Sequence, residues 1–327
     1  MEEFGKDREE MLRGWLELPN GIPDSDTFRR VFERVCPAAL SKALNAALEN
    51  TRVRGRNVNI DGKTVRGSEN GAHSAYHVVS AWVRENNITL GELAVSEKSN
   101  EITAIPELLD VLDLEGDVVT LDAMGCQSGI AAKIREKKAD YVLALKENQP
   151  ALCDEVTRYF DWLEREKPPG ETVSTWRGPF EKGHGRLERR EVLAVSADWL
   201  DAKEKSRWPG LRTLVRCRCV RETRGGRSES VRHFVSSCEP DAQRLGGLIR
   251  GHWSIENGLH WMLDVTFRED AARARKDNSP LNMNVLRKTA LGLVRGTILP
   301  KSRLSARKKM MKAARDPVFL DRIIMKK

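Results

Sequence analysis

Residues 118–122 read VVTLD, a short run of apolar and β-branched residues that ends on the carboxylate of Asp122. Such a run predicts a short buried strand. A second buried strand is predicted at residues 141–145, YVLAL. Apolar residues at helical spacing in 102–112 and 130–137 predict a helix before each of these strands. Alternation of this kind is typical of a sheet with helices packed against it.

Before residue 102 the pattern predicts three further strands, the first beginning at Val58 and the others covering 76–83 and 88–95. The first of them ends on Asp61, and turns follow at Gly62 and at residues 85–87. Residues 1–50 predict helices, because a capping sequence at 24–27 precedes apolar residues at helical spacing. The sequence therefore predicts an α/β protein with a mixed sheet flanked by helices.

The alternation stops between residues 168 and 240, where strands are predicted at 188–195, 213–221 and 231–237. We interpret this stretch as a β-rich insertion. A helix is predicted from Asp241 to Asp264, and helices close the chain. The predicted segments are a helical start (1–55), a first core part (56–165), the insertion (166–240), a last core part (241–280) and a basic helical end (281–327).

The composition, 32% charged and 40% hydrophobic residues in a chain of 327, is ordinary for a globular protein of one large or two medium domains. No apolar run has the length of a membrane span, and the first residues lack the pattern of a signal peptide. We therefore expect a cytoplasmic protein without membrane contact. The six cysteines include no CxxC pair, which argues against a zinc site.

The positive charge is concentrated at the C-terminal end. Residues 281–327 hold 13 Lys or Arg against two Asp, a net +11, so the rest of the chain carries −3 of the total +8. A basic segment of this kind favours a polyanion such as nucleic acid as partner. A solvated basic tail that only keeps the protein soluble is the alternative.

Asp61 and Asp122 are candidate functional residues because each ends an apolar strand, where a side chain meets solvent on a rigid backbone. Each also has a glycine close behind it, Gly62 and Gly125. Taken singly, an aspartate at a strand end is more often a turn or cap residue.

Glu256 is a third candidate. On the predicted helix 241–264 it shares a face with Leu245, Ile249 and Leu263, and an inward carboxylate is costly unless it is paired or binds a metal. A salt bridge to Arg250 or Arg273 is the alternative. Two strand-end aspartates and this glutamate would form an oxygen-rich site suited to Mg²⁺ or Mn²⁺. Two such ions are suited to displacement at a phosphodiester.

Several ordered blocks of the sequence resemble the ISAs1 family of transposases, related to the H-repeat-associated proteins and the wider IS4-like DDE group. The blocks are GIPDSDTF (21–28), IDGKTVRGS (60–68), EKSNEITAIP (97–106), LDAMGCQ (121–127), YVLALKENQP (141–150) and IRGHWSIENGLHW (249–261), which continues to DVTFRED (264–270). The resemblance implies an RNase H-like core, a β-rich insertion before the last catalytic helix, and Asp61, Asp122 and Glu256 as the DDE triad. It also implies two divalent metal ions and transfer of a 3′-hydroxyl from the element ends to target DNA.

The chain departs from the related IS4-type signature, which has Tyr, Arg, Glu and Lys in spaced order. Those positions hold Ile249, His252, Glu256 and Leu263, so a lysine role at Leu263 must come from elsewhere. The GIP block also lies close to the first residue, from which a shortened N-terminal segment is expected.

Residues expected to contact DNA are the cations that follow the strand ends, a glycine-flanked arginine, two residues beside Glu256 and lysines of the basic end. They are Lys63, Arg66, Lys146, Arg186, His252, Trp253, Lys308 and Lys309. The alternatives are an exposed hairpin charge for Lys63 and Arg66, a plain turn at 183–186 and core packing for Trp253.

Three functions follow from these features. The first is an active transposase that binds double-stranded DNA, both element ends and target, as a homodimer or larger assembly, without a small-molecule substrate. The second is a catalytically inactive DNA-binding remnant, and the third is a metal-dependent nuclease without strand transfer. The intact carboxylates argue against the remnant, and all three predict DNA binding that weakens steeply with salt.

Overall fold

A computed structural model describes residues 1–48, 55–71, 74–95, 101–183, 185–299 and 304–325. The strands in these ranges are β1 (Asn57–Val65), β2 (Tyr76–Val83), β3 (Ile88–Val95), β4 (Val118–Leu121), β5 (Asp140–Leu145), β6 (Val173–Arg177), β7 (Glu181–Gly183), β8 (Arg186–Ser196), β9 (Thr213–Thr223) and β10 (Gly226–Ser236). The α-helices are α1 (Glu2–Asp7), α2 (Glu9–Arg13), α3 (Ser25–Arg34), α4 (Pro37–Leu48), α5 (Glu101–Val111), α6 (Ser128–Glu136), α7 (Pro150–Glu166), α8 (Ala202–Ser206), α9 (Ala242–His252), α10 (Ser279–Gly296), α11 (Ala306–Ala313) and α12 (Pro317–Met325).

One mixed sheet runs through the molecule in the order β3-β2-β1-β4-β5-β10-β9-β8-β6, with β7 beside β8. Among the first five strands only β2 runs against the others, because β1 pairs parallel with β4 and β4 pairs parallel with β5. This order and direction are those of the RNase H-like fold. The predicted mixed sheet flanked by helices is confirmed.

The β-rich insertion continues the same sheet. Strand β10 pairs antiparallel with β5, from His233 opposite Leu145 to Ser236 opposite Val142. The three strands predicted here are confirmed, although β8, β9 and β10 are longer than predicted. The tight turn between Thr223 and Gly226 allows β9 and β10 to pair along their full length through polar residues, which carry no hydrophobic signal of a strand.

Both faces of the central strands are covered. All four residues of β4 are buried, as expected for a strand in the middle of a parallel sheet. On one face α5, α6 and α7 contribute Ile105, Ile134 and Phe160 to the larger hydrophobic core. On the other face Leu245 and Ile249 of α9 pack against Val118 and neighbouring strand residues.

The predicted helix 241–264 is helical throughout most of its length, but its winding changes in the second half. Helix α9 ends at His252, and two π-helical turns follow at Glu256–His260 and Met262–Thr266. A π-turn holds more residues than an α-turn, so the positions that face inward drift. Ile255, Leu259 and Leu263 are buried there against Trp82, which touches Gly258 so closely that a Cβ would collide with it.

The helices predicted at the two ends of the chain are present in the described residues. Helices α4 and α10 pack against β3, and α11 and α12 pack against α10 through Val294, Ala313, Phe319 and Ile323. None of the helices described is both long and apolar enough to cross a bilayer. All six cysteines are free thiols.

Candidate active site

Asp61 and Asp122 lie level with each other on neighbouring strands. Strands β1 and β4 pair in parallel register from Asn57 opposite Val118 to Asn59 opposite Thr120. The same register continued by two residues sets Asp61 beside Asp122, on strands about 4.8 Å apart. The hydrophobic runs before both residues hold this register, because each run is buried in the sheet centre.

The predicted strand end at Asp61, with a turn at Gly62, is wrong: β1 continues to Val65 because residues 61–65 pair with β2, so only Asp122 directly follows the end of its strand. Asp61 Oδ1 accepts a hydrogen bond from the backbone N–H of Gly62 at 2.9 Å. Asp122 Oδ1 accepts from Met124 at 3.0 Å and from Gly125 at 3.3 Å, which is the turn role that was its alternative. One oxygen of each aspartate is therefore held by local backbone N–H groups.

Glu256 reaches the same cavity from the first π-turn, but the prediction that it lies on the buried helix face was wrong. Its side chain is exposed, whereas Ile255 and Leu259 are the buried neighbours. The cavity measures about 200 Å³, and Asp61, Asp122 and Glu256 all line it. Arg250, the expected salt-bridge partner of Glu256, pairs instead with Glu181 at 2.8 Å. Within the described residues Glu256 takes part in no ion pair.

A hydrogen-bonded chain ties the end of α9 to the two strands. Thr120 donates its hydroxyl to Asn59 Oδ1 at 2.7 Å and lies 3.0 Å from Nδ1 of His252. With that hydroxyl proton used, Nδ1 of His252 must be the donor, which fixes its tautomer. Burial lowers the pKa of His252 to about 4. His252 is therefore neutral at pH 7 and anchors the segment before Glu256, rather than offering a charge to phosphate.

Asp61 has an unusual electrostatic environment. Burial, together with the negative charges of Glu101, Asp122 and Glu256, raises its pKa to about 7 against the opposing hydrogen bond from Gly62. Nδ1 of His260 lies 3.7 Å from Asp61 Oδ2, but burial and nearby lysines lower the pKa of His260 to about 3, so it is uncharged. The opposite ring nitrogen of His260 is buried without a hydrogen-bond partner among the described residues. No cation of the described chain neutralises Asp61 within ion-pair distance.

Glu101 was missed by the sequence interpretation, although it belongs to the EKSNEITAIP block. It begins α5, and its Oε1 lies 2.7 Å from Nε2 of His77. Residues 96–100, in the same block, lie outside the described residues. The signal was an acidic residue at the start of a helix, a position that is more often a simple cap.

Carboxylate oxygens are the ligands that hard divalent cations prefer, and no lysine or arginine of the described residues pairs with these carboxylates. In the described ranges no three His, Cys, Asp or Glu side chains form a ready-made metal site. Like charges at one cavity repel, so carboxylates that share it stand apart until a cation draws them together. The donor set fits the metal, and closing the site requires side-chain movement.

The predicted DNA-contacting cations have different surroundings. Lys63 is buried, and its ammonium contacts Asp264 at 2.7 Å and Glu269 at 3.0 Å. Its position is that of an internal ion-pair partner. Arg66 is exposed, and Lys146 is exposed at the rim of the 200 Å³ cavity.

The remaining predicted contacts lie farther along the chain. Arg186 pairs with Glu188 at 2.7 Å, while His184 beside it lies outside the described residues. Trp253 is partly buried with the guanidinium of Arg232 4.2 Å above its ring. Lys308 is exposed, but Lys309 donates to the carbonyl oxygens of Val294 and Thr297, which end α10.

A larger groove of about 650 Å³ adjoins the carboxylates. It shares Arg232, Trp253 and Glu256 with the smaller cavity. Its lining holds eight cations and three acids: Arg84, Lys182, Arg186, Arg190, Arg221, Arg232, Arg250 and Arg295, with Glu181, Glu188 and Glu256. This excess of positive charge leads directly to the carboxylates, and it was not apparent in the sequence because its residues come from five separate regions.

Residues 55–293 match the family model described as Transposase DDE domain. The chain belongs to the DDE transposase family. A second model, the DDE-associated segment that accompanies this domain, matches residues 1–47. The resemblance to the H-repeat-associated, IS4-like group is thereby confirmed, and the protein is a transposase enzyme of a mobile element.

Named relatives agree with this assignment. The transposase is 39% identical over 304 residues to "Putative transposase YncI" of Escherichia coli O157:H7, covering 90% of this chain and 76% of that protein. It is 32% identical to "H repeat-associated putative transposase YhhI" of Escherichia coli K12, with 99% and 86% covered. Among solved structures, a piggyBac transposase synaptic complex with hairpin DNA aligns with a TM-score of 0.44 and 12% identity, over 84% of this chain and 54% of that one.

Proposed function

We propose that this transposase cleaves the ends of its own DNA element and transfers the resulting 3′-hydroxyl to target DNA, with Asp61, Asp122 and Glu256 as ligands of two divalent metal ions. The observation that carries the proposal is the β1–β4 register, which sets two aspartates side by side at one cavity that Glu256 also lines. Family membership makes dependence on divalent metal the general expectation.

The carboxylates would serve as ligands and not as nucleophiles. Two bound cations of this kind supply activation of the attacking oxygen and stabilisation of the leaving oxygen in phosphodiester displacement. The protein contributes the rigid placement. The oxygens Asp61 Oδ1 and Asp122 Oδ1 are held by backbone N–H groups, and the Thr120–His252 hydrogen bond holds the helix end that precedes Glu256.

DNA is proposed to approach along the basic groove. Arg232 lines both the groove and the carboxylate cavity, and Lys146 lines the cavity alone, so a phosphate next to the reacting one would lie near these two cations. The C-terminal segment contributes less than its charge predicts, because Arg287 and Lys288 are used in internal contacts with Glu269 and Glu92. Two element ends have to be joined in one event, so we propose a homodimer or larger assembly on DNA.

The test uses DNA that carries the element ends, a target plasmid and Mg²⁺, with wild type, Asp122→Asn and Asp154→Asn. Asp154 is an exposed aspartate of α7, paired only with Arg158, and provides a control for the same chemical change. We expect cleaved and joined products from wild type and the control, and a loss of more than about 100-fold in Asp122→Asn.

Other outcomes select the competing functions. Cleavage without joined product would identify a metal-dependent nuclease. Specific binding of the ends with no metal-dependent product in any protein would identify a DNA-binding remnant, and the catalytic proposal would then fail.

A further inference from the structure

We propose that Glu101 is a fourth carboxylate of the site formed by Asp61, Asp122 and Glu256, and that His77 is a positioning residue that holds Glu101 against Gly62. This inference rests on the function proposed above. It assigns a metal-binding role to a residue outside the DDE triad.

The contacts of Glu101 fix one of its oxygens. Oε1 lies 2.7 Å from Nε2 of His77, and Nδ1 of His77 lies 3.1 Å from the hydroxyl of Thr64. A carboxylate accepts only, so Nε2 of His77 is the donor to Glu101. This chain anchors Glu101 to β1 and β2, the strands on which Asp61 and His77 lie. Among the described residues Oε2 of Glu101 has no hydrogen-bond partner.

Gly62 makes the approach possible. A Cβ placed on Gly62 would overlap both Glu101 Oε1 and His77 Nε2. The position directly after Asp61 therefore lacks a side chain where Glu101 meets the strand, as expected where a group must come close to the backbone. Any other residue would move Glu101 away from Asp61.

The clustering of Glu101 with the other three acids does not stabilise the folded protein. Glu101 lies beside Gly62, the residue after Asp61, and apart from the ring of His77 no basic side chain of the described residues lies within ion-pair distance of it. Glu101 is largely buried, with 16% of its side chain exposed. Packing a fourth acid beside three others opposes folding unless a cation occupies the site.

A purely structural role is the competing explanation, in which the His77–Glu101 contact only fastens α5 to the sheet. The structural and the metal-binding explanations predict different effects of substitution on stability and on metal affinity. A structural contact stabilises the metal-free protein and leaves metal affinity alone, whereas a ligand does the reverse.

The experiment measures Mn²⁺ binding to the DNA-free full chain by electron paramagnetic resonance titration, with melting temperatures of the metal-free proteins. The variants are Glu101→Gln and Glu107→Gln. Glu107 is an exposed residue of the same helix and serves as the matched control. We expect Glu101→Gln to raise the Mn²⁺ Kd by about 10–100-fold without lowering the metal-free melting temperature, and Glu107→Gln to match wild type.

His77 is tested by loss and rescue. His77→Leu removes the donor and should raise the Mn²⁺ Kd by about tenfold, and His77→Gln, whose amide nitrogen occupies a position near Nε2, should restore most of the affinity. Equal weakening in both variants would contradict the positioning role. Unchanged Mn²⁺ affinity in Glu101→Gln, with a lowered melting temperature, would overturn the proposal in favour of the structural contact.

Asp122→Asn in the same titration separates this inference from the function on which it rests. Weakened Mn²⁺ binding in Asp122→Asn but not in Glu101→Gln would support the three proposed ligands and exclude Glu101 as a fourth. Wild type that binds no Mn²⁺, or binds it equally well after Asp122→Asn, overturns both.

Discussion

The two ends of the β1–β4 pair differ in how their charges are arranged. At the entry of the strands Arg56 and Asp117 form a buried pair, in which Arg56 contacts both carboxylate oxygens and its backbone N–H adds a further bond of 3.0 Å to Asp117. At the other end, five residues along each strand, Asp61 and Asp122 share a cavity with Glu256, and no lysine or arginine of the described residues lies within ion-pair distance of either aspartate. The same backbone register thus carries a balanced pair at one end and unbalanced acids at the other.

This difference separates residues that serve the fold from residues that oppose it. In a buried ion pair such as Arg56–Asp117, each charge is compensated by its partner and by the hydrogen bonds between them. Clustered acids without cations raise the free energy of the folded state, and a cation bound as proposed would offset that cost. Charge balance along one strand pair therefore supports the proposed position of the site.

The largest effect is expected when the balanced end is broken. Arg56→Met leaves Asp117 buried without its partner and should reduce the free energy of unfolding by about 3–5 kcal/mol, measured by denaturant titration. The double variant Arg56→Met/Asp117→Leu also removes the unpaired carboxylate and should recover most of the lost free energy of unfolding. If Arg56→Met unfolds like wild type, the pair has no stabilising role.

A smaller effect is expected from pH at the acid-rich end. Asp61 has a pKa of about 7 in the folded state, against an ordinary value of 3.8 for the unfolded chain. Between these values the folded state retains a proton that the unfolded chain has lost, so stability falls as pH rises from about 4 to about 7, by at most about 4 kcal/mol. Metal-free melting curves should show this decline in wild type and lose it in Asp61→Asn. An identical pH profile in the two proteins would exclude a buried acid at this position.

Divalent metal should offset that instability. At a Mg²⁺ concentration 100 times its Kd, the folded state gains about 2.7 kcal/mol, and chelation with EDTA removes the gain. The rise in melting temperature should be larger at pH 8 than at pH 5, because protonated carboxylates do not bind the ion. Asp122→Asn should lose most of the rise, whereas Asp117, at the balanced end, provides no site for the ion.

The smallest effect concerns a cation at the rim of the acid-rich end. Lys146→Ala should lower the slope of log affinity against log salt by about one and weaken DNA binding severalfold, measured by fluorescence anisotropy. Lys203→Ala, an exposed lysine of α8 away from both cavities, is the control. Equal slopes in wild type and Lys146→Ala would mean that DNA does not pass this rim.

Local pattern was sufficient to predict much of the sheet and two members of the candidate site. The strand around Val118 is a run of apolar and β-branched residues, which indicates burial on both faces, whereas valine and isoleucine alternate with asparagine around Val58. Asp122 follows the end of its strand as predicted, and Asp61 was identified from a strand end that the structure places at Val65 instead. Glu256 was identified by an α-helical period that the π-turns do not keep, and the block resemblance located it despite that mistaken periodicity.

The sequence by itself determined the strand and helix order, Asp61 and Asp122 as candidate residues after apolar stretches, and the family, because these depend on residues that are close along the chain. Only the tertiary structure decided the β1–β4 register that sets those aspartates side by side, the pairing of β10 with β5, the burial of Lys63 and the approach of Glu101 to Gly62. These features depend on contacts between residues 39 to 206 positions apart. Packing of the whole chain decides which distant groups come into contact and which charges lack a partner. Such contacts produce no periodic pattern in the local sequence.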